Sequence, residues 1–264
     1  MALICHQFAY HDDNYGFLLH DDISGKTAAI DAGCAKSFLA ALEDTGYRLS
    51  HIFITHHHWD HTDGLAMLKQ ATGARAYGPH NTPHNTPHNT KDEIATLLDE
   101  RVQDGDHFAF GEHEVRVIST PGHTLDMMNF YIQDAGFLFS GDSLFTLGCG
   151  RLFEGDGAMM WRSLSKLLAL PDETIIYSAH EYALANAAFA EVIDPNNQAL
   201  KARIAAIKSL REKGKPTVPS LLSEERATNP FCRANDTELR AHLGLLDASD
   251  EAVFTEIRRR KDVF

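Results

Sequence analysis

Four residues of metal-ligand type occupy six consecutive positions of this chain: His56, His58, Asp60 and His61. They form the pattern His-x-His-x-Asp-His, and the apolar β-type run 51–55 leads directly into it. Neutral imidazole and carboxylate are ligands that suit zinc and its first-row neighbours. A strand end is rigid, while the loop after it is free to turn several side chains toward one point. A histidine-rich surface loop is the alternative interpretation, but this density of ligand types favours a metal site.

Three further candidate ligands follow later apolar runs. His123, Asp142 and His180 each come at or just after the end of a β-type segment of the sequence. Open sheets collect their ligands at the carboxyl ends of strands, where loops carry the functional side chains. The recurrence of ligand types at these positions predicts one metal centre built from several strand ends.

On these residues the chain resembles the metallo-β-lactamase superfamily and, within it, the glyoxalase II family, the hydroxyacylglutathione hydrolases. The superfamily's ordered metal motifs are matched by residues 56–61, Gly122-His123, Gly141-Asp142 and residues 179–182. Segments similar to glyoxalase II in particular are residues 147–155, 229–231 and 258–262. The resemblance runs from about residue 10 to the last residue.

The resemblance implies an α/β fold, an αββα metallo-β-lactamase sandwich with a C-terminal α-helical domain. The order of the predicted elements agrees, because β-type runs fill the first part of the chain and helical spacing dominates after Tyr182. We expect a catalytic domain at residues 1–174 and a helical substrate-binding domain at residues 175–264, which contributes His180. Asp194-Pro195 is predicted to begin one of the later helices, as its N-cap and first-turn proline.

Two metal-binding sets that share one carboxylate are implied by the resemblance. It assigns the first metal to His56, His58 and His123, the second to Asp60, His61 and His180, and the bridge to Asp142. Two metals roughly 3.5 to 4 Å apart can share a water and lower its pKa from about 15.7 toward about 7, which implies a metal-bridging hydroxide as nucleophile. Asp60 and Asp142 are then the catalytic carboxylates. We expect two divalent ions per chain, with zinc favoured and iron or manganese also compatible with these ligands.

The implied substrate is S-D-lactoylglutathione, which would be hydrolysed to D-lactate and glutathione. Arg258 and Lys261 match a basic pair of the family near the C-terminus, and Tyr182 matches a tyrosine that contacts the glutathione backbone. At Arg151 and Phe153 many members carry lysine and tyrosine. Arginine keeps the charge and adds a bidentate fork. Phenylalanine lacks the hydroxyl donor that the family uses at this position.

Composition excludes several other classes of protein. A formal net charge of -13 repels nucleic-acid phosphates, which argues against a nuclease. No apolar stretch approaches the roughly 18 to 20 residues needed to span a membrane, and no basic region precedes a long apolar run at the N-terminus. The 4 cysteines are scattered, so we expect reduced thiols in a cytoplasmic monomer, with Cys149 packed in a Gly-rich turn rather than acting as ligand or nucleophile.

Two alternative functions share the metal motifs. One is a glutathione persulfide dioxygenase with a single iron, a group that generally lacks the long C-terminal helical segment. The other is a non-catalytic metal-binding protein on the same fold. A lactonase or β-lactamase is disfavoured because the glutathione-type contacts would serve no purpose. His57 is left out of the ligand set, and Glu181 is either a supporting carboxylate or a surface residue.

A tetrapeptide, Pro-His-Asn-Thr, is repeated three times in succession at residues 79–90. The tract has no apolar residues to bury and is predicted to form an exposed loop. Its histidines could bind metal, but a tandem expansion in a tolerant loop is the favoured interpretation.

Deleting residues 83–90 should therefore leave hydrolysis of a glutathione thioester within a few-fold, because no assigned ligand lies in the two deleted repeats. The measurement is kcat/KM together with metal content per chain. A loss of bound metal in the deleted protein would show instead that the repeat histidines are ligands.

Overall fold

The computed structural model describes residues 3–81 and 93–264. The repeat therefore lies outside the described residues, apart from Pro79, His80 and Asn81, and its predicted loop stays a prediction. The described chain falls into two compact units, unit 1 (Met1–Ser119 with Thr124–Gly141) and unit 2 (Thr120–His123 with Asp142–Phe264).

The first sheet of unit 1 is mixed. Its strands, in spatial as well as chain order, are β1 (Leu3–Tyr10), β2 (Asn14–Asp21), β3 (Thr27–Ile30), β4 (Leu49–Phe53), β5 (Arg75–Pro79) and β6 (Glu100–Val102). Strands β1 to β3 pair antiparallel, and β3 to β6 pair parallel. Phe17 of β2 lies opposite Ile30 of β3 in the antiparallel part of the sheet.

Helices connect the parallel strands and cover one face of this sheet. They are α1 (Ala35–Thr45), α2 (Trp59–Thr62), α3 (Leu65–Thr72) and α4 (Glu93–Leu97). Phe38 of α1 and Leu68 of α3 are buried in one cluster with Leu18 and Ile52 of the sheet. Helix α1 ends at a C-cap glycine, Gly46, whose φ of 72° suits glycine.

A second, antiparallel sheet packs against the other face. Within unit 1 it consists of β7 (His107–Phe110), β8 (His113–Ser119), β9 (Met128–Ile132) and β10 (Phe137–Gly141). Phe53 lies between the sheets, with its ring centroid 5.2 Å from those of Phe108 and Phe130. Phe17 and Phe139 meet in the same layer at 5.7 Å. These aromatic contacts make unit 1 a two-sheet sandwich with helices on its outer face.

Unit 2 consists mainly of helices, and the region after Tyr182 is helical as the sequence predicts, while the predicted domain bounds of 1–174 and 175–264 stay a prediction. Its elements are β11 (Leu144–Phe145), β12 (Gly148–Cys149), α5 (Gly157–Leu168), β13 (Ile175–Ser178), α6 (Ala183–Ile193), α7 (Gln198–Glu212), β14 (Ser220–Leu221), α8 (Leu222–Thr228), the 3-10 helix Pro230–Cys232, α9 (Thr237–Leu243) and α10 (Asp250–Asp262). Helix α10 has acidic residues in its first turn and basic residues in its last, which complements the helix dipole.

The predicted start of α7 at Asp194-Pro195 is wrong. Asp194 instead ends α6, and the side chain of Asn197 caps α7 by accepting a hydrogen bond from the Leu200 amide at 3.0 Å. The Asp194 carboxylate is engaged elsewhere, since it accepts from Asn197 Nδ2 at 2.8 Å and lies 3.2 Å from Arg233 Nε. The contact with Arg233, which a local pattern does not reveal, occupies the carboxylate that the sequence suggested as a cap.

Among the described residues, no helix is both long enough and apolar enough to cross a membrane.

Candidate metal centre

The loop after β4 gathers the candidate ligands of unit 1. His56, His58 and His61 are buried, and His56 Nε2 lies 3.0 Å from His58 Nδ1. The next pair along the chain also converges, with Asp60 Oδ2 at 3.4 Å from His61 Nε2. These side chains lie close together beyond the end of β4, and the His56 and His61 ring centroids are 4.1 Å apart.

Asp31 holds this loop from the end of the neighbouring strand β3. Its buried carboxylate accepts hydrogen bonds from the Thr55 amide at 2.7 Å and the Thr55 hydroxyl at 3.0 Å. It also lies 2.7 Å from His61 Nδ1, so the other nitrogen of that ring faces Asp60. The Thr55 hydroxyl gives its proton to Asp31 and therefore accepts from His56 Nδ1, 3.0 Å away. One carboxylate thus sets the orientation of two candidate ligands.

Asp31 was not among the candidate residues chosen from the sequence, so this role was missed. Its φ of 62° lies in the left-handed region, which aspartate tolerates better than most residues. The available signal was a carboxylate that ends the strand next to the ligand-bearing one in the predicted sheet.

The turn after Asp31 also fits closely against the Asp60 backbone. A Cβ atom added to Gly33 would lie 1.7 Å from the Asp60 carbonyl oxygen, so only glycine permits the approach. Asp60 is anchored further by Tyr10, whose hydroxyl donates to the same carbonyl at 2.9 Å, and by Asn14 Nδ2, which donates to Oδ2 at 3.0 Å. The Asp60 carboxylate is therefore oriented before any ligand binds.

His57, in the middle of the motif, is directed to a different partner. Its Nδ1 lies 2.9 Å from Asp126 Oδ1, and both side chains are fully buried. This pair ties the ligand loop to the segment that precedes β9.

In unit 2, Asp142 presents its two carboxylate oxygens to two different imidazoles. Oδ2 lies 3.3 Å from His123 Nε2, and Oδ1 lies 3.3 Å from His180 Nε2. All three side chains are buried and follow β8, β10 and β13, as the sequence predicts. This is the arrangement that a carboxylate shared between two cations requires.

His123 is oriented by the backbone of the segment that follows β12. Its Nδ1 donates to the Arg151 carbonyl at 2.8 Å, which leaves Nε2 on the side of Asp142. The Phe153 amide donates in turn to the His123 carbonyl at 3.2 Å. A Cβ atom at Gly150 would lie 2.1 Å from the Asp142 carbonyl, so the segment depends on glycine to come this close.

Three of the predicted substrate residues lie against these unit 2 ligands. The Tyr182 ring, 36% exposed, stacks on His180 with a centroid distance of 4.8 Å. The Phe153 ring, 45% exposed, meets the His123 ring edge-on at 5.3 Å. The exposed Arg151 guanidinium lies 6.0 Å from the Phe153 ring centroid.

Arg258 and Lys261 differ in their surroundings on α10. Arg258 is only 5% exposed, donates to the Cys149 carbonyl at 3.2 Å and to Asp262 Oδ1 at 2.8 Å, and lies over the Phe231 ring. Lys261 Nζ donates to the Ala185 carbonyl at 2.9 Å and is partly exposed. Burial, followed by the charge of Arg258, lowers the pKa of Lys261. Lys261 is therefore the more accessible of the two cations.

Two open points of the sequence analysis are resolved. Burial raises the pKa of Cys149 to about 11, although Arg258 opposes the rise, so the packed thiol stays protonated at neutral pH. Glu181 is not a surface residue. Its two carboxylate oxygens accept from the Thr217 amide and the Thr217 hydroxyl, each at 2.8 Å, which anchors the segment directly after His180.

The candidate ligands are of the chemical types that suit a divalent metal. Among the described residues, three groups that could hold an ion contain the predicted ligands His56, His58, Asp60, His61, His123, Asp142 and His180, and a fourth group consists of His57, Asp126 and Glu154. They supply imidazole nitrogens and carboxylate oxygens without thiolate, a combination compatible with zinc, iron or manganese.

Comparison with protein families gives two consecutive matches. Residues 17–180 match the metallo-beta-lactamase superfamily, and residues 181–264 match the family described as the hydroxyacylglutathione hydrolase C-terminus. Proteins named hydroxyacylglutathione hydrolase from Brucella ovis and Brucella abortus are each 50% identical to this chain, over 98% of its length and 97% of theirs.

Solved structures show the same fold. The crystal structure of ETHE1 from Myxococcus xanthus has a TM-score of 0.67 at 23% identity, covering 97% of this chain and 90% of that one. The BLEG-1 B3 metallo-beta-lactamase has a TM-score of 0.65 at 20% identity, covering 87% and 99%. At these identities the likeness is one of fold alone. Together with the family matches it confirms the predicted metallo-β-lactamase fold with a C-terminal helical region.

The role of Asp31 can be tested with Asp31→Asn, since asparagine also tolerates the left-handed backbone. The amide has one oxygen where the carboxylate has two, and it carries no charge to face His61. Metal affinity, measured by competition with a chromophoric chelator, should fall by about 10- to 100-fold. Glu43→Gln, an exposed change on α1, is the control and should bind metal as the parent does. Parent-like affinity in Asp31→Asn would contradict the assigned role.

Proposed function

This chain belongs to the metallo-beta-lactamase superfamily and, within it, to the hydroxyacylglutathione hydrolases, and we propose that it hydrolyses S-D-lactoylglutathione to D-lactate and glutathione. The observation that carries the proposal is Asp142, with one carboxylate oxygen facing His123 and the other facing His180. A carboxylate held in this way is suited to join two metal ions. The resemblance to the family implies a hydrolytic site with two metals joined by such a carboxylate.

In the proposed site the seven ligand-type residues hold two divalent ions. His56, His58 and His123 would bind one ion, Asp60, His61 and His180 the other, with Asp142 shared. Zinc is the metal that we propose first, and the same donors accept iron or manganese. Asp31 accepts a hydrogen bond from His61 Nδ1, and the Arg151 carbonyl accepts one from His123 Nδ1. Both bonds support this assignment, because each leaves Nε2 of a ligand histidine on the side of a ligand carboxylate.

The chemistry needs no nucleophile from the chain itself. Bound metals would supply a Lewis acid for the thioester carbonyl and a water acidic enough to attack near neutral pH. The protein's part is to hold its donors rigidly, since buried and preoriented groups need no rearrangement during the reaction. The protonated thiol of Cys149 supports this division, because it is unsuited to covalent catalysis.

The exposed side chains beside His123 and His180 are proposed to receive the glutathione moiety. Glutathione is anionic, and the chain carries a formal net charge of -13, so local cations must offset the repulsion. Arg151 offers a planar fork for a carboxylate, and Tyr182 offers a hydroxyl beside a ligand histidine. Phe153 contributes apolar surface, and Lys261 and Arg258 complete the proposed set from α10.

A single-iron glutathione persulfide dioxygenase is the second candidate among enzymes. It would use one metal, whereas Asp142 faces histidines on both sides, and residues 181–264 match the hydrolase C-terminus. The deciding experiment is metal content per chain, oxygen uptake with glutathione persulfide, and hydrolysis of a panel of thioesters, lactones and cephalosporins. Oxygen consumption with one iron would reject the hydrolase. Metal binding without turnover of any substrate would favour a non-catalytic protein.

Replacing Asp142 by alanine should remove at least one metal and nearly all thioester hydrolysis, because the shared carboxylate is lost. Metal content and kcat are measured on the same sample. Glu173→Ala, an exposed carboxylate of unit 2, should change neither. A fully active Asp142→Ala protein would rule out the two-metal mechanism.

Lys261→Ala should raise KM for S-D-lactoylglutathione by about tenfold, roughly 1.4 kcal/mol of charge-assisted bonding, with a smaller effect on kcat. Contacts equal in ground and transition states lower KM without raising kcat. Lys261 is the sharper target because Arg258→Ala would also remove the buried bond to Cys149. A short thioester without the glutathione carboxylates should be hydrolysed equally well by parent and variant.

The control for Lys261 is Arg259→Ala, since Arg259 lies two residues earlier on the same helix and pairs with Glu256. It should keep the parent KM. An unchanged KM for the glutathione thioester in Lys261→Ala would mean that this helix end does not bind the substrate.

A further inference from the structure

The hairpin β11–β12 lies in the chain between the proposed bridging ligand and the exposed Arg151. Leu144 pairs with Cys149 and Phe145 pairs with Gly148, and the whole segment 142–150 is buried. Leu147, in the turn, has a φ of 57°, a left-handed conformation that is unusual for leucine. A buried turn of this kind must find partners for its backbone amides and carbonyls.

Two fully buried side chains supply most of those partners, Glu225 in the middle of α8 and Asn229 at its C-cap. Asn229 Nδ2 lies 3.2 Å from the Phe145 carbonyl and 3.0 Å from the Gly148 carbonyl. Glu225 Oε2 accepts from the Leu147 amide at 3.0 Å, and also from Asn229 Nδ2 at 3.0 Å. These two residues, which we call the α8 clasp, bind three backbone groups of one turn.

A third side chain, from α6, binds another carbonyl of the turn. Asn186 Nδ2 donates to the Thr146 carbonyl at 3.1 Å. The bonds from α8 and α6 therefore span residues 145–148 without a break. The turn is held by side chains that lie 40 to 84 residues away in the chain.

The charge of Glu225 is neutralised within the same unit. Its Oε1 accepts from Ser220 Oγ at 2.8 Å and pairs with Arg203 Nη2. Arg203 Nη1 donates in turn to Thr228 Oγ1 at 2.7 Å. Both carboxylate oxygens are thus engaged away from solvent, so Glu225 is committed to holding the turn rather than to proton transfer or substrate binding.

Both ends of the hairpin lead into the candidate metal centre. Asp142 precedes β11 by two residues, and Arg151, whose carbonyl orients His123, follows β12 by two. The Gly150 amide donates back to the Ser143 carbonyl at 3.4 Å, which joins the two ends. A shift of the turn would therefore move the Asp142 carboxylate and the partner of His123 together.

From this geometry we infer that Glu225 and Asn229 are positioning residues for the metal centre and act through the β11–β12 hairpin. They fix the Asp142 carboxylate and the Arg151 carbonyl without contacting substrate. The inference gives a role to the Asn229-Pro230-Phe231 motif, in which Asn229 Oδ1 also accepts from the Phe231 amide at 3.0 Å. It rests on the proposed function for the identity of the ligands.

The test uses Asn229→Asp and Glu225→Gln in the full chain. Aspartate at position 229 is nearly isosteric but has no N–H to donate, and glutamine at position 225 removes the buried charge. Metal affinity by chelator competition should fall by about 10- to 100-fold, as for other groups that orient ligands. With S-D-lactoylglutathione, kcat should fall by at least about tenfold, because the ligands would no longer be held in the orientation that the reaction needs.

A purely structural role is separated by Leu239→Ala, a fully buried change on α9. This control should lower the melting temperature but keep the parent's metal affinity and its kcat per folded molecule. Parent-like affinity and kcat in the folded clasp variants, with only the melting temperature lowered, would overturn the inference. Where Asn229→Asp does not fold, Asn186→Ala removes one bond to the same turn and should weaken metal binding several-fold in the same assay.

Failure of the proposed function would look different. A parent chain that binds two metals yet hydrolyses no thioester would reject the substrate assignment. The affinity measurements on the clasp variants would still confirm or reject the positioning role.

Discussion

The candidate metal centre depends on one constraint, that an imidazole has two nitrogens and only one can face a cation. The protein must hold the other nitrogen with a hydrogen bond, or the ring is free to turn. In unit 1 Asp31 does so for His61 and, through Thr55, for His56. In unit 2 the Arg151 carbonyl does so for His123. Asp31 and Arg151 come from a strand end or loop other than the one that carries the histidine. The orientation of the ligands therefore depends on the tertiary fold.

Close backbone approach is the condition under which these hydrogen bonds form. Gly33 lets the turn after β3 reach Asp60, and Gly150 lets the segment after β12 reach Asp142. The buried turn at Leu147 requires a different solution, since its amide and the carbonyls around it are met by side chains of α8 and α6. In this way α8 and α6 supply polar atoms next to the ligand-bearing segments.

The sequence predicted what is local and left out what is not. His56 to His61 could be identified because ligand chemistry and an apolar strand are adjacent in the chain, and the later ligands because each ends a β-type run. The roles of Asp31 and Glu225 were missed, since their partners lie 24 to 78 residues away and only the folded backbone brings them together. The predicted start of α7 was wrong for a similar reason, because Arg233, distant in the chain, contacts the Asp194 carboxylate. The burial of Arg258 against Cys149 was likewise not predictable from the helical pattern, because the two residues lie 109 positions apart in the chain.

The backbone carbonyl and the side chain of Arg151 have different partners. Its carbonyl is common to every residue type and holds His123, while its side chain extends outward beside Phe153. Substitution at positions 151 and 153 therefore alters the surface offered to a thioester and leaves intact the backbone atoms that orient the ligand. Natural selection or directed evolution can therefore change which thioester is preferred, while the backbone that orients the metal ligands, and with it the hydrolytic chemistry, stays the same.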